Sequence, residues 1–209
     1  MRVEFDPDSG SPYAFYPLLT SLIVPRPIAW VATLSAGGVA NLAPHSFFTV
    51  ACVVPPVIQF TSVGRKDSLR NIEATGEFTV SVTPERLFEE VNATATDFPQ
   101  NVDEFAAVGL DAEASRRVAP PRVAQSPAVF ECRLQDTISF GDSFVVFGRV
   151  LLAAVDEDAI GDNGLPAIGA LRPLARLGAD EWSTIGEVRE ITRIANADWP
   201  GHYDGARTD

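Results

Sequence analysis

The pattern of hydrophobic and polar positions predicts a β-hairpin in the first quarter of the chain. Residues 28–34 are apolar or aromatic apart from one threonine, and the small residues Ser35-Ala36-Gly37-Gly38 follow them. Glycine reaches the positive φ angles that tight hairpin turns require. The returning segment carries further apolar side chains that we expect to be buried: Phe47, Phe48, Val50, Val53 and Val54.

Proline interrupts the returning strand, which reads Asn41-Leu42-Ala43-Pro44-His45-Ser46-Phe47-Phe48. Pro44 has no amide hydrogen for a strand ladder, so we expect the strand to bulge or break there and to leave backbone donors free. The Ser46 hydroxyl and the His45 ring nitrogens lie nearby. This pattern fits an edge strand with a proline kink and a ligand site about equally well.

Further strands and short helices are predicted along the rest of the chain. Pro84 and Asp103 each open a short helical segment. Alternating or continuous apolar positions predict four more strands, at residues 57–63, 77–82, 127–134 and 143–152, with the last two joined around Gly141-Asp142. No internal repeat and no linker between two cores is visible.

A short helix is predicted after the third strand because Leu69 and Ile72 have helical spacing. Asp67 or Ser68 is the expected N-cap, and Gly76 is the expected C-terminal stop.

A dense basic cluster stands at the start of this helix. It contains Lys66, the only lysine of the sequence, with Arg65 beside it and Arg70 nearby. The first amide groups of a helix lack intrahelical partners and its macrodipole favours anions, so Lys66, the Ser68 hydroxyl and these amides together could hold a phosphate. A solvated surface loop is the alternative interpretation of the same cluster.

Composition favours one globular domain and excludes several classes of partner. The chain has 209 residues, 46% of them hydrophobic, and a formal net charge of −12. This charge argues against general binding of nucleic acids or anionic membranes, which both depend on basic patches. No apolar run is long enough to span a membrane and the N-terminus is polar and acidic, so we expect a cytoplasmic protein.

Cysteine and histidine usage bears on redox and metal chemistry. Cys52 and Cys132 lie in apolar, strand-like segments, where we expect buried, reduced thiols. His45 and His202 are the only histidines, and the acidic residues are scattered rather than set at ligand spacing. A metal centre is therefore not predicted.

Four motifs in order resemble the flavin reductase-like, flavoredoxin-type family of FMN-binding split barrels. They are Arg-Pro-Ile-Ala-Trp-Val-Ala-Thr, Asn-Leu-Ala-Pro-His-Ser-Phe-Phe, Pro55-Pro56-Val57 and Lys66-Asp67-Ser68-Leu69-Arg70-Asn71-Ile72. The resemblance covers most of the chain. It implies a mainly β protein with peripheral helices, built on a six-stranded Greek-key split β-barrel, that forms a homodimer and binds FMN near the subunit interface.

The resemblance also implies a domain division and a set of cofactor-binding residues. Residues 1–25 are expected to be a lead-in packed on the barrel, 26–194 the flavin reductase-like domain and 195–209 a tail. Inserted helices are expected to cover part of the flavin. The FMN-binding residues implied are Arg26, Pro27, Trp30, Thr33, Ala43, Pro44, His45, Ser46, Phe47, Ser62, Lys66, Asp67 and Ser68.

Two departures from the family pattern affect the functional prediction. The segment 167–182 resembles the family's closing motif, but Ala179 stands for its second glycine and Trp182 for its tyrosine. Related reductases often carry glycine-aspartate-histidine, associated with nicotinamide binding, before the long late strand. Here Ser143 replaces that histidine after Gly141-Asp142.

The main functional hypothesis is an FMN-dependent oxidoreductase that passes electrons from NADH or NADPH to free flavin or another acceptor. Because the cofactor carries the chemistry, no catalytic acid or base is required, and the absence of a Gly-x-Gly-x-x-Gly segment means that a dinucleotide would bind without a Rossmann unit. An electron-carrying or non-catalytic FMN protein is the alternative, since the histidine is replaced. An oxidase of pyridoxamine-like substrates fits the local motifs less well.

Overall fold

The computed structural model describes residues 1–11 and 13–199, in which β-strands form the main layer. A seven-stranded antiparallel sheet has the order β3-β2-β6-β9-β10-β5-β4, and two small sheets are β1-β11-β12 and β7-β8. The strands are β1 (Arg26–Pro27), β2 (Ala29–Leu34), β3 (Ala40–His45), β4 (Phe48–Cys52), β5 (Val57–Val63), β6 (Glu77–Ser81), β7 (Ala112–Glu113), β8 (Arg122–Val123), β9 (Ala128–Phe140), β10 (Ser143–Val155), β11 (Ala175–Arg176) and β12 (Trp182–Ser183).

Short helices flank the sheet. The α-helices are α1 (Tyr16–Leu22), α2 (Asp67–Thr75), α3 (Phe88–Ala93), α4 (Glu104–Val108) and α5 (Ile168–Leu171). Single 3-10 turns lie at Pro7–Ser9, Glu85–Leu87, Glu157–Ala159 and Asn196–Asp198. Within residues 1–11 and 13–199, no helix is long and apolar enough to cross a membrane. The cytoplasmic location stays a prediction.

The order of the large sheet requires it to roll up. β3 and β4 are its two edges, yet only Ser46 and Phe47 separate them in sequence. Consecutive Cα atoms are about 3.8 Å apart, so the end of β3 and the start of β4 lie within about 11 Å of each other. The Phe47 carbonyl also accepts a hydrogen bond from the Thr61 amide at 2.9 Å. The split β-barrel is therefore confirmed, although the sheet has seven strands because the returning hairpin strand is divided.

The division of the returning strand does not fall at its proline. Pro44 lies inside β3 and pairs with Trp30, whereas the ladder stops at Ser46 and Phe47. An edge strand tolerates proline because one side of its ladder needs no donor. The expected break therefore lies two residues further along the chain.

The barrel wall buries apolar side chains on both of its faces. Trp30 and Ala32 of β2 belong to one core cluster, which also contains Val91 and Phe105 from the helices. The alternate β2 residues Ala29 and Val31 belong to a second cluster. Successive side chains of a strand point to opposite faces, so both layers pack against β2. This explains why residues 28–34 read as an almost continuous apolar run.

The apolar side chains beyond the divided strand are not buried as expected. Val50, Val53 and Val54 are 68%, 82% and 86% exposed, while Phe47 and Phe48 are half-buried. Among the described residues β4 pairs only with β5, and nothing covers its outer face.

The two cysteines differ in burial. Cys52 lies on β4 and is exposed, so the expectation that it is buried was wrong, whereas Cys132 is a buried free thiol in the core. The sequence pattern indicates that a segment is apolar, but it does not indicate whether another part of the protein covers that segment.

Most predicted elements are present with small shifts in their ends. β5 and β6 fall on the expected segments. β9 continues past its predicted end to Phe140, and β10 continues past its predicted end to Val155. The two strands are joined by a turn at Gly141, where φ is 60°. Gly76 ends α2 with a φ of 75°. The N-cap of α2 is Lys66 rather than Asp67 or Ser68. The domain division stays a prediction, and residues 200–209 of the predicted tail lie outside the described part of the chain.

Candidate functional site

A cavity of about 580 Å³ opens where the two edges of the barrel meet. Its volume lies within the range that is usual for small-molecule sites. β3 and the bend after it form one wall, the start of α2 forms the second, and the segment between α3 and α4 forms the third. The lining residues are Tyr16, Asn41, Ala43, Pro44, His45, Ser46, Phe47, Thr61, Val63, Arg65, Lys66, Asp67, Ser68, Arg70, Thr94, Ala95, Thr96, Asp97, Phe98, Pro99, Gln100 and Glu104.

The structure brings many of the predicted site residues together in this cavity. Those that line it are Ala43, Pro44, His45, Ser46, Phe47, Lys66, Asp67 and Ser68. The other predicted residues do not line it: Arg26, Pro27, Trp30, Thr33 and Ser62. Their contacts show that they support other parts of the fold.

Arg26 connects α1 to the closing segment of the domain instead of facing the cavity. Its guanidinium donates hydrogen bonds to the backbone carbonyls of Thr20 and Ile23, and to that of Leu177 at 2.7 Å. Arg26 and Pro27 form β1, which pairs with β11. A phosphate contact from Arg26 would require these hydrogen bonds to break, so Arg26 is not assigned to the phosphate.

Trp30, Thr33 and Ser62 are completely buried behind the cavity wall. The Trp30 indole donates to the hydroxyl of Thr94 at 2.9 Å, and Thr94 lines the cavity. Thr33 accepts a hydrogen bond from the Asn71 amide of α2 at 3.0 Å. Ser62 donates to a backbone carbonyl two residues later at 2.8 Å. These residues hold lining elements in place.

The start of α2 brings together, within the cavity, groups that could hold an anion. Its N-cap Lys66 makes no side-chain capping bond, so the first amide groups of the helix have no side-chain partner there. The helix dipole favours negative charge at this end. The Lys66 ammonium lies 4.0 Å from the carboxylate of Asp97, whose side chain is 97% exposed. Such an exposed pair is weak, so Lys66 can bind an anion.

The two arginines beside Lys66 are engaged in stronger pairs. Arg65 forms a salt bridge with Glu73, and Arg70 forms one with Asp67 and also donates to the Arg65 carbonyl. Of the cations that line the cavity, Lys66 is therefore the least committed to the protein.

A buried polar network forms one side of the cavity, and we name Asn41, His45, Ser68 and Glu104 the floor cluster. One carboxylate oxygen of Glu104 accepts from the Asn41 amide and from the Leu42 backbone amide, both at 2.6 Å. Ser68 donates to the Asn41 carbonyl oxygen at 3.4 Å, and the Nε2 of His45 lies 3.4 Å from the Ser68 hydroxyl. Each member is less than a tenth exposed.

Burial shifts the titration of both ionisable members of the floor cluster. Burial and then the charge of Lys66 lower the pKa of His45 to about 4, against a hydrogen bond with the Thr61 backbone that raises it. His45 is therefore neutral at pH 7. Burial raises the pKa of Glu104, while its hydrogen bonds from Leu42 and Asn41 act in the opposite direction.

A second cavity of about 390 Å³ adjoins the first along α2. Both are lined by Asn41, Asp67, Arg70, Pro99, Gln100 and Glu104. The turn before β3 and residues 99–102 close its other side. These shared residues therefore separate two adjacent spaces on one side of the barrel.

Sequence reasoning missed part of this site. The sequence placed Glu104 only in the helical segment that opens at Asp103, and it assigned no site residue to 94–100, although the family resemblance suggested that inserted helices cover the flavin. In the sequence, Glu104 directly follows the N-cap Asp103, whose side chain accepts from the Ala106 amide. Glu104 therefore resembles an ordinary acidic residue in the first turn of a helix. Its burial against β3 depends on tertiary packing.

Comparison with known proteins assigns the chain to a family. The sequence profile described as flavin reductase like domain matches residues 21–174, and the chain belongs to this family. The class of protein is therefore a flavin-binding, oxidoreductase-type split barrel.

Several individual proteins are similar over nearly the whole chain. An uncharacterized protein of Deinococcus radiodurans is 39% identical over 210 residues, which is 95% of this chain and 92% of the relative. Nitrilotriacetate monooxygenase component B from Bacillus cereus is 30% identical with a TM-score of 0.86, covering 91% of this chain and 99% of that one. The Pseudomonas fluorescens 2-nitrobenzoate 2-nitroreductase NbaA is 27% identical with a TM-score of 0.87, covering 95% and 100%.

Proposed function

We propose that the protein is an FMN-dependent oxidoreductase that takes electrons from NADH or NADPH and passes them to free flavin or another acceptor. The observation that carries the proposal is a cavity of about 580 Å³ with an uncapped helix start and Lys66 at one end. When bound, FMN would supply the two-electron transfer. The protein's part is to hold the ring and phosphate and to leave one ring face accessible.

The residues of the cavity fit a phosphorylated flavin. Lys66 and the first amides of α2 supply donors for a phosphate, and Ser46 lies in the same lining. Phe47 and the half-buried Pro44 supply apolar surface on the wall formed by β3. We propose that Ala43, Pro44, His45, Ser46, Phe47, Lys66, Asp67 and Ser68 contact the cofactor.

FMN rather than FAD is proposed as the resident cofactor because the predicted motif set is compact and the resemblance implies FMN. Heating the purified protein and separating the released cofactor by chromatography tests this proposal. The expected result is one peak that elutes with FMN. A pure adenine dinucleotide peak would overturn it.

The proposed electron donor and acceptor are supported by two relatives and by the position of one turn. Two relatives are named as a monooxygenase component and as a nitroreductase, which supports reduction of free flavin or of a small acceptor. The Gly141-Asp142-Ser143 turn lies beside the cavity, since Ser143 pairs with Val63 and Val63 lines it. A nicotinamide could therefore approach on this side without the histidine.

An electron carrier without direct nicotinamide use remains the second candidate because of Ser143. Anaerobic addition of NADH or NADPH to the flavin-loaded protein distinguishes the two. The reductase predicts that the oxidised flavin absorption bleaches within seconds to minutes with one of the two donors. Persistence of the absorption with both donors, followed by bleaching with dithionite, would favour the carrier.

A homodimer is proposed from the exposed apolar surface of β4 and of the turn that follows it. Val50, Val53 and Val54 lie close together in sequence and are each more than two thirds exposed. Contiguous apolar surface of this kind usually marks an interface. Trp30 does not contribute to this surface because it is completely buried.

A further inference from the structure

The hydrogen bonds of the floor cluster run in one direction, from Ser68 to Asn41 and from Asn41 to Glu104. One carboxyl oxygen of Glu104 accepts from the Asn41 side-chain amide, so the NH₂ group of Asn41 faces α4. The same oxygen also accepts from the Leu42 amide at 2.6 Å, which holds the carboxylate against β3. The carbonyl oxygen of Asn41 must then point toward Ser68 at the start of α2.

This direction determines what Ser68 offers to a ligand. The Asn41 oxygen is an acceptor, so the single hydroxyl proton of Ser68 is directed to it at 3.4 Å. Ser68 then offers lone pairs rather than a proton to other groups. The Nε2 of His45 also lies 3.4 Å from the Ser68 hydroxyl, and the ring carries no charge at pH 7.

The floor cluster is consequently rich in acceptors and poorly suited to a phosphate, which itself only accepts hydrogen bonds at its ionised oxygens. Hydroxyl groups suit it better because they can donate to Ser68 and Asn41. The donors required by a phosphate lie close by: Lys66 stands two residues before Ser68, and the first amides of α2 begin at Asp67. In a phosphorylated flavin, a chain of hydroxyl-bearing carbons leads directly to the phosphate.

We propose that Glu104 is a positioning residue, which acts through Asn41 to set Ser68 as an acceptor for the polyol hydroxyl groups of the flavin. Lys66 and the start of α2 then bind the phosphate. This inference rests on the proposed function, and it changes the predicted role of Ser68 from a phosphate donor to a polyol acceptor.

The test compares three flavins that share the ring: FMN, riboflavin without the phosphate, and lumiflavin without the polyol. Their dissociation constants are measured by fluorescence titration for the wild type, Glu104→Ala, Glu104→Gln and Ser68→Ala. The exposed Glu89 of α3 lines neither cavity, so Glu89→Gln is the matched control.

Glu104→Ala releases Asn41, and we expect it to weaken FMN and riboflavin by a similar factor of about five to ten while lumiflavin binding is unchanged. Glu104→Gln should stay within about twofold of the wild type for riboflavin, because the glutamine carbonyl can accept the same two hydrogen bonds. Ser68→Ala should reproduce the pattern of Glu104→Ala, and it supplies the test if Glu104→Ala does not fold.

Four outcomes separate the possibilities. Equal weakening of all three flavins, or riboflavin binding that Ser68→Ala leaves unchanged, would overturn the positioning role. Weakening of FMN alone would return Ser68 to the phosphate and would also overturn it. Failure of the wild type to bind any of the three flavins would instead overturn the proposed function.

Discussion

His45 is a buried site residue whose protonation is coupled to folding. Its pKa falls from 6.5 to about 4 in the folded protein, chiefly because burial disfavours the charged ring. Between these two values the unfolded chain binds the proton and the folded protein does not. The contribution of His45 to stability is therefore complete above pH 6.5 and is lost as the pH falls toward 4.

Replacement of His45 by glutamine should remove this dependence. We expect the difference in unfolding free energy between wild type and His45→Gln to change by on the order of 3 kcal/mol between neutral pH and about pH 4, with the wild type losing more. Urea unfolding of the flavin-free proteins at several pH values measures the difference. Parallel stability curves would contradict the burial of a neutral ring.

Ala179 has a backbone conformation that suits glycine. Its φ is 46°, in the left-handed region, and it stands where the resembling family has the second glycine of the closing motif. A side chain in this conformation costs about 1 kcal/mol. Ala179→Gly should therefore leave the melting temperature unchanged or raise it by a few degrees.

The matched control for Ala179→Gly is Ala170→Gly within α5. Alanine to glycine in a helix costs roughly 0.5–1 kcal/mol, so this variant should melt at a lower temperature. Equal destabilisation by both changes, measured by calorimetry, would show that Ala179 is not strained.

At the scale of secondary-structure elements, a buried carboxylate connects β9 to the segment that precedes β8. Glu131 of β9 is completely buried and accepts from the Arg116 and Arg117 amides at 2.9 and 2.5 Å, and from the Arg122 guanidinium. Burial acts to raise the pKa of Glu131, but these hydrogen bonds and the charge of Arg122 outweigh it and the pKa is lowered.

Glu131→Gln should destabilise the protein by about 3 kcal/mol at neutral pH, because it removes the buried carboxylate beside Arg122 and leaves only the exposed carboxylate of Glu113 as its partner. The lowered pKa means that this stabilisation is present above the ordinary pKa of a glutamate and is lost as the pH falls through the folded value. The deficit of Glu131→Gln relative to wild type should therefore shrink in acid. A deficit that is independent of pH in chemical denaturation would contradict the role of the charge.

The elements that the sequence predicted best are those whose pattern has a local cause. The span of β5 matches the expected one because apolar Ile58 and Phe60 alternate with polar residues between Pro56 and Gly64. Gly76 ends α2 because its positive φ suits glycine. The N-cap was misplaced because Lys66, Asp67 and Ser68 stand in sequence and only the backbone of Lys66 has the extended conformation that defines the cap.

The sequence did not predict which residues form hydrogen bonds across the tertiary structure. Glu104 lies 62 residues from the Leu42 amide that it accepts from, and no spacing rule connects a helix start to a strand so far away. Arg26 was predicted to bind the cofactor from its motif, whereas its guanidinium donates to the carbonyls of Thr20, Ile23 and Leu177. Family resemblance identifies the cavity wall, and packing decides which side chains reach it.

At the scale of the whole molecule, the exposed surface of β4 predicts a dimer. Light scattering at micromolar concentration should give a mass of about twice 22.4 kDa. Val53→Glu, which places a charge on this surface, should shift the protein toward the monomer. Val188→Glu is the control, since Val188 is 57% exposed outside the barrel. A wild-type mass of one chain would contradict the dimer.

The whole-molecule account places a phosphorylated flavin in the cavity between the barrel edges, with its phosphate at the start of α2. Lys66 is the cation on which this orientation depends, because Arg65 and Arg70 are paired with Glu73 and Asp67. A charge-assisted hydrogen bond to a phosphate contributes about 1.5–3 kcal/mol. Lys66 is exposed, so its removal should leave the fold intact.

Titration of wild type and Lys66→Ala with FMN and with riboflavin tests this account most directly. The expected result is FMN binding weakened about tenfold or more, riboflavin binding nearly unchanged, and no effect of the control Arg149→Ala, an exposed position outside both cavities. Equal effects on FMN and riboflavin, or no effect on either, would contradict the account and would move the phosphate elsewhere, with Arg172 or Arg176 as the next candidates.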